Sequence, residues 1–166
     1  MTCQIPWWRD DRGSAAIEMA LVTPIFLVLM FGAFDLGNYF MSEHAVLKAV
    51  RDGARYASHR GFADYDCATL QPIADVTTKT RNVTRTGAIA SGGTPRLSSW
   101  TDDSTIIVSI TCPAIGTYGG IYTGSTKVPV VKVTAAVPYT SLFKKFGLTT
   151  STITLNAASQ IPVMGA

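Results

Sequence analysis

Few side chains in this sequence are of the types that do chemistry, and the hardest to account for is a carboxylate. Glu18 lies within GSAAIEMALVTPIFLVLMFGAFD, residues 13–35, as the one charged group between Arg12 and Asp35. An ionised carboxylate at membrane depth costs about 2.5–3.5 kcal/mol even on lenient scales, so its presence asks for a reason. Its spacing from Gly13-Ser14 supplies one. A cut between Gly13 and Ser14 frees an α-amine at Ser14 and makes Glu18 the fifth residue of the shortened chain. One helical turn then separates the two groups, and the carboxylate can neutralise that amine or a neighbouring subunit's. The competing reading is an interfacial Glu reaching toward lipid head groups.

The other candidate groups do not assemble into a site. His44 and His59 each stand among charged or small residues and are expected on a solvated helix face. The sequence has no GxSxG elbow, no Walker or other Gly-rich nucleotide loop and no His/Asp/Glu cluster, so neither enzyme activity nor a cofactor is expected. No CxxC or Cys/His spacing points to a metal. Net charge is +3, from 14 basic and 11 acidic residues scattered along the chain. A nucleic-acid partner calls for a basic stripe, and none is expected here.

Positioning Glu18 falls to a long helix. The 166 residues allow one ordinary domain with an appendage. Charged residues make up only 15% of the chain, against about a quarter in soluble domains, and the apolar excess is concentrated at residues 15–34. From Met19 to Phe34 nothing is charged, and counted from Ser14 the run reaches the roughly 20 residues of a minimal membrane span. A secretory signal fits poorly. FDLGNY follows the run where an Ala-x-Ala site is required, and the helical pattern continues past it.

Pro24, in mid-span, removes one helical hydrogen bond and is expected to kink the helix. Ala33 and Gly37, four apart, form a weak small-residue pair for close helix approach. Beyond Asp35 the pattern turns amphipathic. Val46, Ala49, Val50, Gly53 and Ala57 share one side; Lys48, Arg51, Asp52 and Arg55 share the other, with Asp52 spaced to pair with Lys48 and Arg55. Gly61 is a natural stop, so a continuous helix from Ser14 to Arg60 would be roughly 70 Å long.

Gly13, Ser14-Ala15-Ala16-Ile17, Glu18 and the apolar stretch together resemble the type IV prepilin pattern, in which a membrane aspartic peptidase cuts after the glycine. Extended through Pro24, Asp35 and the LKAVRDGARYAS segment, residues 12–58 resemble the TadE-like minor pilins, or pseudopilins, of tight-adherence (Tad/Flp) pilus systems. Asp10 and Asp11 depart from the usual basic leader. The resemblance implies a minor pilin subunit that takes part in assembly of an adhesive pilus. Its implied partners are inner-membrane lipid, a prepilin peptidase, other pilin subunits and the pilus assembly platform. The alternative is a permanently anchored periplasmic interaction protein, which has no need of the Gly13/Glu18 pair.

The cysteines bear on compartment. Cys3 precedes the run, and Cys67 and Cys112 follow it. If the run spans a membrane with its N-terminus in the cytoplasm, the latter two share an oxidising compartment and are expected to bridge. Unpaired burial as small hydrophobes is the alternative. Lys48, Arg51 and Arg55 follow the span while Arg9 and Arg12 precede it, so the positive-inside count is nearly neutral. The short leader and the cysteine distribution favour the cytoplasmic N-terminus. The expected location is therefore the bacterial inner membrane, single pass, with the outer domain in the periplasm or, once assembled, extracellular.

The expected class is α+β, with four parts: a leader over 1–13, a transmembrane helix over 14–36, an amphipathic helical stalk over 37–60 and a β-rich domain over 61–166. Within the last part, CATLQPIADVTTKTRNVTR has room for a short helix after Pro72, but its threonines favour irregular or extended structure. ASGGTPRLSSW reads as a surface loop. Three strands are expected, over Thr105–Thr111, Lys127–Tyr139 and Ser151–Val163, forming a small antiparallel sheet. Val131, Val133, Ala135 and Val137 should share one face, as should Ile153, Leu155, Ala157 and Ile161. Pro129 implies an edge or bulge. FKKFG, residues 143–147, reads as a turn with the potential to contact a surface.

Overall fold

A computed structural model of the chain describes residues 13–114, 120–124, 126–145 and 153–165. The leader with its Cys3, Arg9 and Asp10–Arg12, the Phe146-Gly147 end of FKKFG, and Ser151-Thr152 lie outside the described residues. The chain divides into two compact units between Asn38 and Tyr39, and each is described by itself.

The first unit is the opening stretch of helix α1, Ser14–Ser58, with Pro24 inside it. Thr23 donates its hydroxyl to the carbonyl of Met19, one turn back. Every residue from Gly13 to Leu29 is exposed.

In the second unit the helix changes character as its amphipathic pattern dictates. Val46, Ala49, Val50, Gly53, Ala54 and Ala57 are buried, while Lys48, Arg51 and Arg55 are exposed. The helix stops at Ser58, just short of the expected Arg60, and Arg60 closes the turn by donating its N–H to Ala57. Asp52 does not use the charges of its own helix. Arg96, in the surface loop, holds its carboxylate at 2.7 Å.

The threonine-rich segment folds as a helix, α2, Ala74–Thr86, which corrects the preference for irregular or extended structure. Propensity loses to local bonding here. Thr77, Thr78, Thr84 and Thr86 each donate a hydroxyl to the carbonyl four residues back, so the polar groups that usually compete with a helix are absorbed by it. Lys79 and Asp75 pair at 2.8 Å one turn apart, and Val76, Thr80, Val83 and Thr84 are buried. Gly87 ends the helix in the left-handed region, with φ 81°, and returns its N–H to Val83.

Two sheets complete the unit. The smaller pairs β1, Tyr65–Asp66, with β2, Gln71–Pro72. The larger is antiparallel in the order β3-β4-β5, from Ile106–Thr111, Val130–Pro138 and Thr154–Pro162. Its register sets Val133 between Val108 and Ser159, and Ala135 between Ile106 and Ala157. The alternation places Ile106, Val108 and Ile110 on the same buried face as Val131, Val133, Ala135, Val137, Leu155 and Ala157. These join Val46, Ala49, Val50, Ala54 and Ala57 of α1 in one cluster with the fully buried Trp100. Pro129 lies just before β4 and gives its carbonyl to the Val163 N–H, so the central strand carries no proline until its last position. Ile153, expected on the inner face, is exposed ahead of β5. Residues 142–145 form one helical turn, α3, in place of a plain turn.

A disulfide between Cys67 and Cys112 ties the β1–β2 hairpin to the chain just after β3, with the Cα atoms 5.7 Å apart.

Candidate functional site: the exposed apolar helix

The opening stretch of α1 is assembled from residues that a water-soluble surface does not tolerate. Ile17, Met19, Leu21, Val22, Ile25, Phe26 and Val28 are all exposed, and Leu29 is 67% exposed. Scattered surface hydrophobes are ordinary, but a contiguous apolar helix of this length is not. The helix is long and apolar enough to cross a membrane, and none of its most apolar window is buried against the rest of the protein. Backbone polarity poses no obstacle, because a helix satisfies its own N–H and C=O groups.

Within it, Ser14 is the first helical residue and Gly13 sits immediately before. Among the described residues, a Cβ on Gly13 would meet nothing within 4 Å. Glu18 is exposed one turn beyond Ser14, on the same side of the helix. That places the three residues of the expected cleavage and neutralisation chemistry within two turns. Pro24 has no N–H for the carbonyl of Ala20, and the helix continues through it. Asp35, near the end of the run, is half-buried.

Among its described residues the second unit offers no rival centre. Among the described residues, no group of three or more His, Cys, Asp or Glu side chains could hold a metal ion. His44 and His59 are both exposed. The perturbed groups are structural. Asp66 is held below the usual carboxylate range by the Ala68 N–H and the Thr69 hydroxyl, which close a tight turn. Asp102 is lowered by the hydroxyl and N–H of Ser104 in a similar turn. Burial pushes the Tyr65 phenol up, aided by nearby Asp64, while its O–H donates to the Ala57 carbonyl at the end of α1. A cleft lined by Asp52, Arg55, Tyr56, His59 and Arg60 is a fold in the helix surface, with the Arg60 guanidinium 5.4 Å from the Tyr56 ring centre.

Residues 13–55 match the family of TadE-like proteins. The match begins on the glycine of the expected cleavage site and runs through the apolar stretch into the amphipathic half of α1. The match suggests an association with Tad pilus systems. Other pilin subunits are accordingly the class of partner it suggests. No curated protein and no solved structure matches the chain. The second unit beyond residue 55 therefore stands on its own geometry.

Sequence reasoning missed one interaction in this region. The Asp52–Arg96 pair joins residues of the helix and a distant Gly/Ser-rich loop, and nothing in the local spacing of either announces it.

Proposed function

We propose that this TadE-like chain is a minor pilin, or pseudopilin, that takes part in building a Tad-type adhesive pilus. The observation that carries the proposal is the overlap of two features on one segment. The TadE-like match covers residues 13–55, and the same segment opens with a fully exposed apolar helix.

In this reading the stretch 14–36 stores the subunit in the bacterial inner membrane, with the leader 1–13 in the cytoplasm, the stalk 37–60 beyond it and the domain 61–166 in the periplasm. That side is oxidising, which suits the Cys67–Cys112 bond. A prepilin peptidase removes residues 1–13 by cutting after Gly13. The new amine at Ser14 then meets the Glu18 carboxylate of its own chain or of a neighbouring subunit, so two charges that each disfavour the bilayer neutralise one another. Pro24 provides a local bend as the assembly platform draws the helix out of the membrane.

Two measurements test this. Intact mass of membrane-extracted protein should show a chain beginning at Ser14 in cells with an active peptidase, and Gly13→Ala should slow the cut. Glu18→Leu should insert normally yet reduce surface piliation at matched membrane levels, with Glu18→Asp in between. A mature chain beginning at Met1, or full piliation by the Leu variant, would defeat the respective step.

A further inference from the structure

We propose that the α3 end of the second unit docks on the anionic head groups of the membrane in which the chain is anchored. The inference rests on the membrane reading above and adds a second, peripheral attachment to it.

Charge is the first observation. From Ser104 to Ala166 the sequence contains four lysines, Lys127, Lys132, Lys144 and Lys145, and no Asp or Glu. Two of the four are adjacent in α3, where Lys144 is exposed. Beside them Leu142 and Phe143 are half-buried. The turn has a defined shape, because the Ser141 hydroxyl accepts the Phe143 N–H at 3.1 Å and the Ser141 carbonyl accepts the Lys144 N–H at 3.2 Å. Lysines flanked by apolar side chains are the composition of segments that lie at a bilayer surface, with ammonium groups among head groups and hydrophobes just below.

Position is the second, independent observation. Tyr139, two residues before Ser141, packs edge-to-face on Tyr39 with ring centres 5.3 Å apart. Tyr39 follows Leu36 by three residues, or roughly 4.5 Å of helical rise. With the stretch 14–36 in the bilayer, Tyr39 follows it at head-group depth along the chain, and Tyr139, three residues before Leu142 of α3, packs on Tyr39. The surrounding surface suits that depth: Phe40 is 49% exposed, Met41 is 76% exposed and Ile153 is 42% exposed. Aromatic rings collect in such interfacial belts. Surface lysines engage anionic lipid within about a Debye length, and the short tether through Tyr139 and Tyr39 keeps α3 close along the chain to the end of the span.

The test uses the full chain in vesicles containing brominated phosphatidylcholine, either neutral or with about 30% phosphatidylglycerol. Phe143→Trp, on a Trp7→Phe/Trp8→Phe background, reports docking by fluorescence quenching, and the buried Trp100 supplies the unquenched baseline. Thr140→Cys carrying a bimane label, in a Cys3→Ser background, gives the same reading without altering Phe143. Leu29→Trp reports insertion of the span. The expected result is strong quenching of both α3 probes in anionic vesicles and weak quenching in neutral ones. Lys144→Glu with Lys145→Glu should shift the docking equilibrium by roughly 30-fold or more, and high salt should act in the same direction. Unquenched α3 probes beside a quenched Leu29→Trp overturn the docking and leave the membrane reading intact. Equal quenching in neutral and anionic vesicles overturns the role of the head-group charge. An unquenched Leu29→Trp overturns the membrane reading, and the docking with it.

Discussion

Gly53 of α1 lies tightly against Thr84 of α2, and adding one carbon there gives a quantitative test of how the second unit is held together. A Cβ on Gly53 would run into the Thr84 hydroxyl and stand 3.2 Å from the Thr84 Cβ and 3.5 Å from the Thr80 carbonyl. Thr84 is fully buried and donates that hydroxyl to the Thr80 carbonyl at 2.7 Å. In an exposed helix Gly→Ala would gain about 1 kcal/mol. Here overpacking costs about 1–3 kcal/mol. Rotating Thr84 out of the way forfeits a buried hydrogen bond worth about 1 kcal/mol. The net expectation for Gly53→Ala is a loss of about 2 kcal/mol. Thr84→Ala alone should lose about 1 kcal/mol. The double variant should be little worse than Thr84→Ala, which leaves a coupling of about 1–2 kcal/mol. Urea unfolding of the full chain in detergent, followed by Trp100 fluorescence on the Trp7→Phe/Trp8→Phe background, measures all four corners of the cycle. Additivity within about 0.5 kcal/mol, or a Gly53→Ala protein more stable than the parent, would refute the close approach.

Replacing Cys67 and Cys112 by serine should lower stability by about 4 kcal/mol, the chain-entropy value for a crosslink across 45 residues, as read by the same urea titration. Gly87→Ala should cost about 1 kcal/mol, because the φ of 81° disfavours any Cβ and the Arg96 guanidinium lies 3.2 Å from where it would stand. Tyr65 has its folded pKa raised, so the stability it contributes is complete below pH about 10 and drains away as pH climbs toward the raised value. Tyr65→Phe should therefore show a shallower alkaline loss than the parent in a pH series of unfolding curves. Asp66 and Asp102 have lowered values, so their support is present above pH about 4 and fades as pH falls through the lowered range. Asp66→Asn should flatten that acid limb.

The legible parts of the fold were those where one side-chain period dominates. The stripe Val46, Ala49, Val50, Gly53, Ala57 has helical spacing and is buried throughout, and Val131 to Val137 alternates on the inner face of the central strand. The Gly13-to-Asp35 segment was legible for the opposite reason, since an unbroken apolar run admits few environments. α2 was not legible as a firm helix because its threonines are stabilised by bonds to carbonyls one turn back, a property of the formed helix that propensity averages out. The Asp52–Arg96 pair was hidden because local spacing offered Asp52 two nearer cations. Ile153 kept the alternation in sequence but fell outside the strand, where pairing no longer fixes a face.

The N–H of Met164 donates to the carbonyl of Ser58 at 2.8 Å, so the last turn of α1 is completed by a residue near the far end of the chain. A growing polypeptide is released in order, and at about 5–20 residues per second the two partners are synthesised several seconds or more apart. For the first part of that interval, until Val130 is made, the buried stripe of α1 has neither β4 nor β5 to cover it. This native arrangement cannot close progressively as the chain emerges: it has to wait for β5. A nascent subunit thus spends its first seconds as a hydrophobic helix seeking a lid. A ribosome stalled before Val130 leaves that stripe without either strand, a form that quality-control proteases can distinguish from the finished subunit by its unshielded surface.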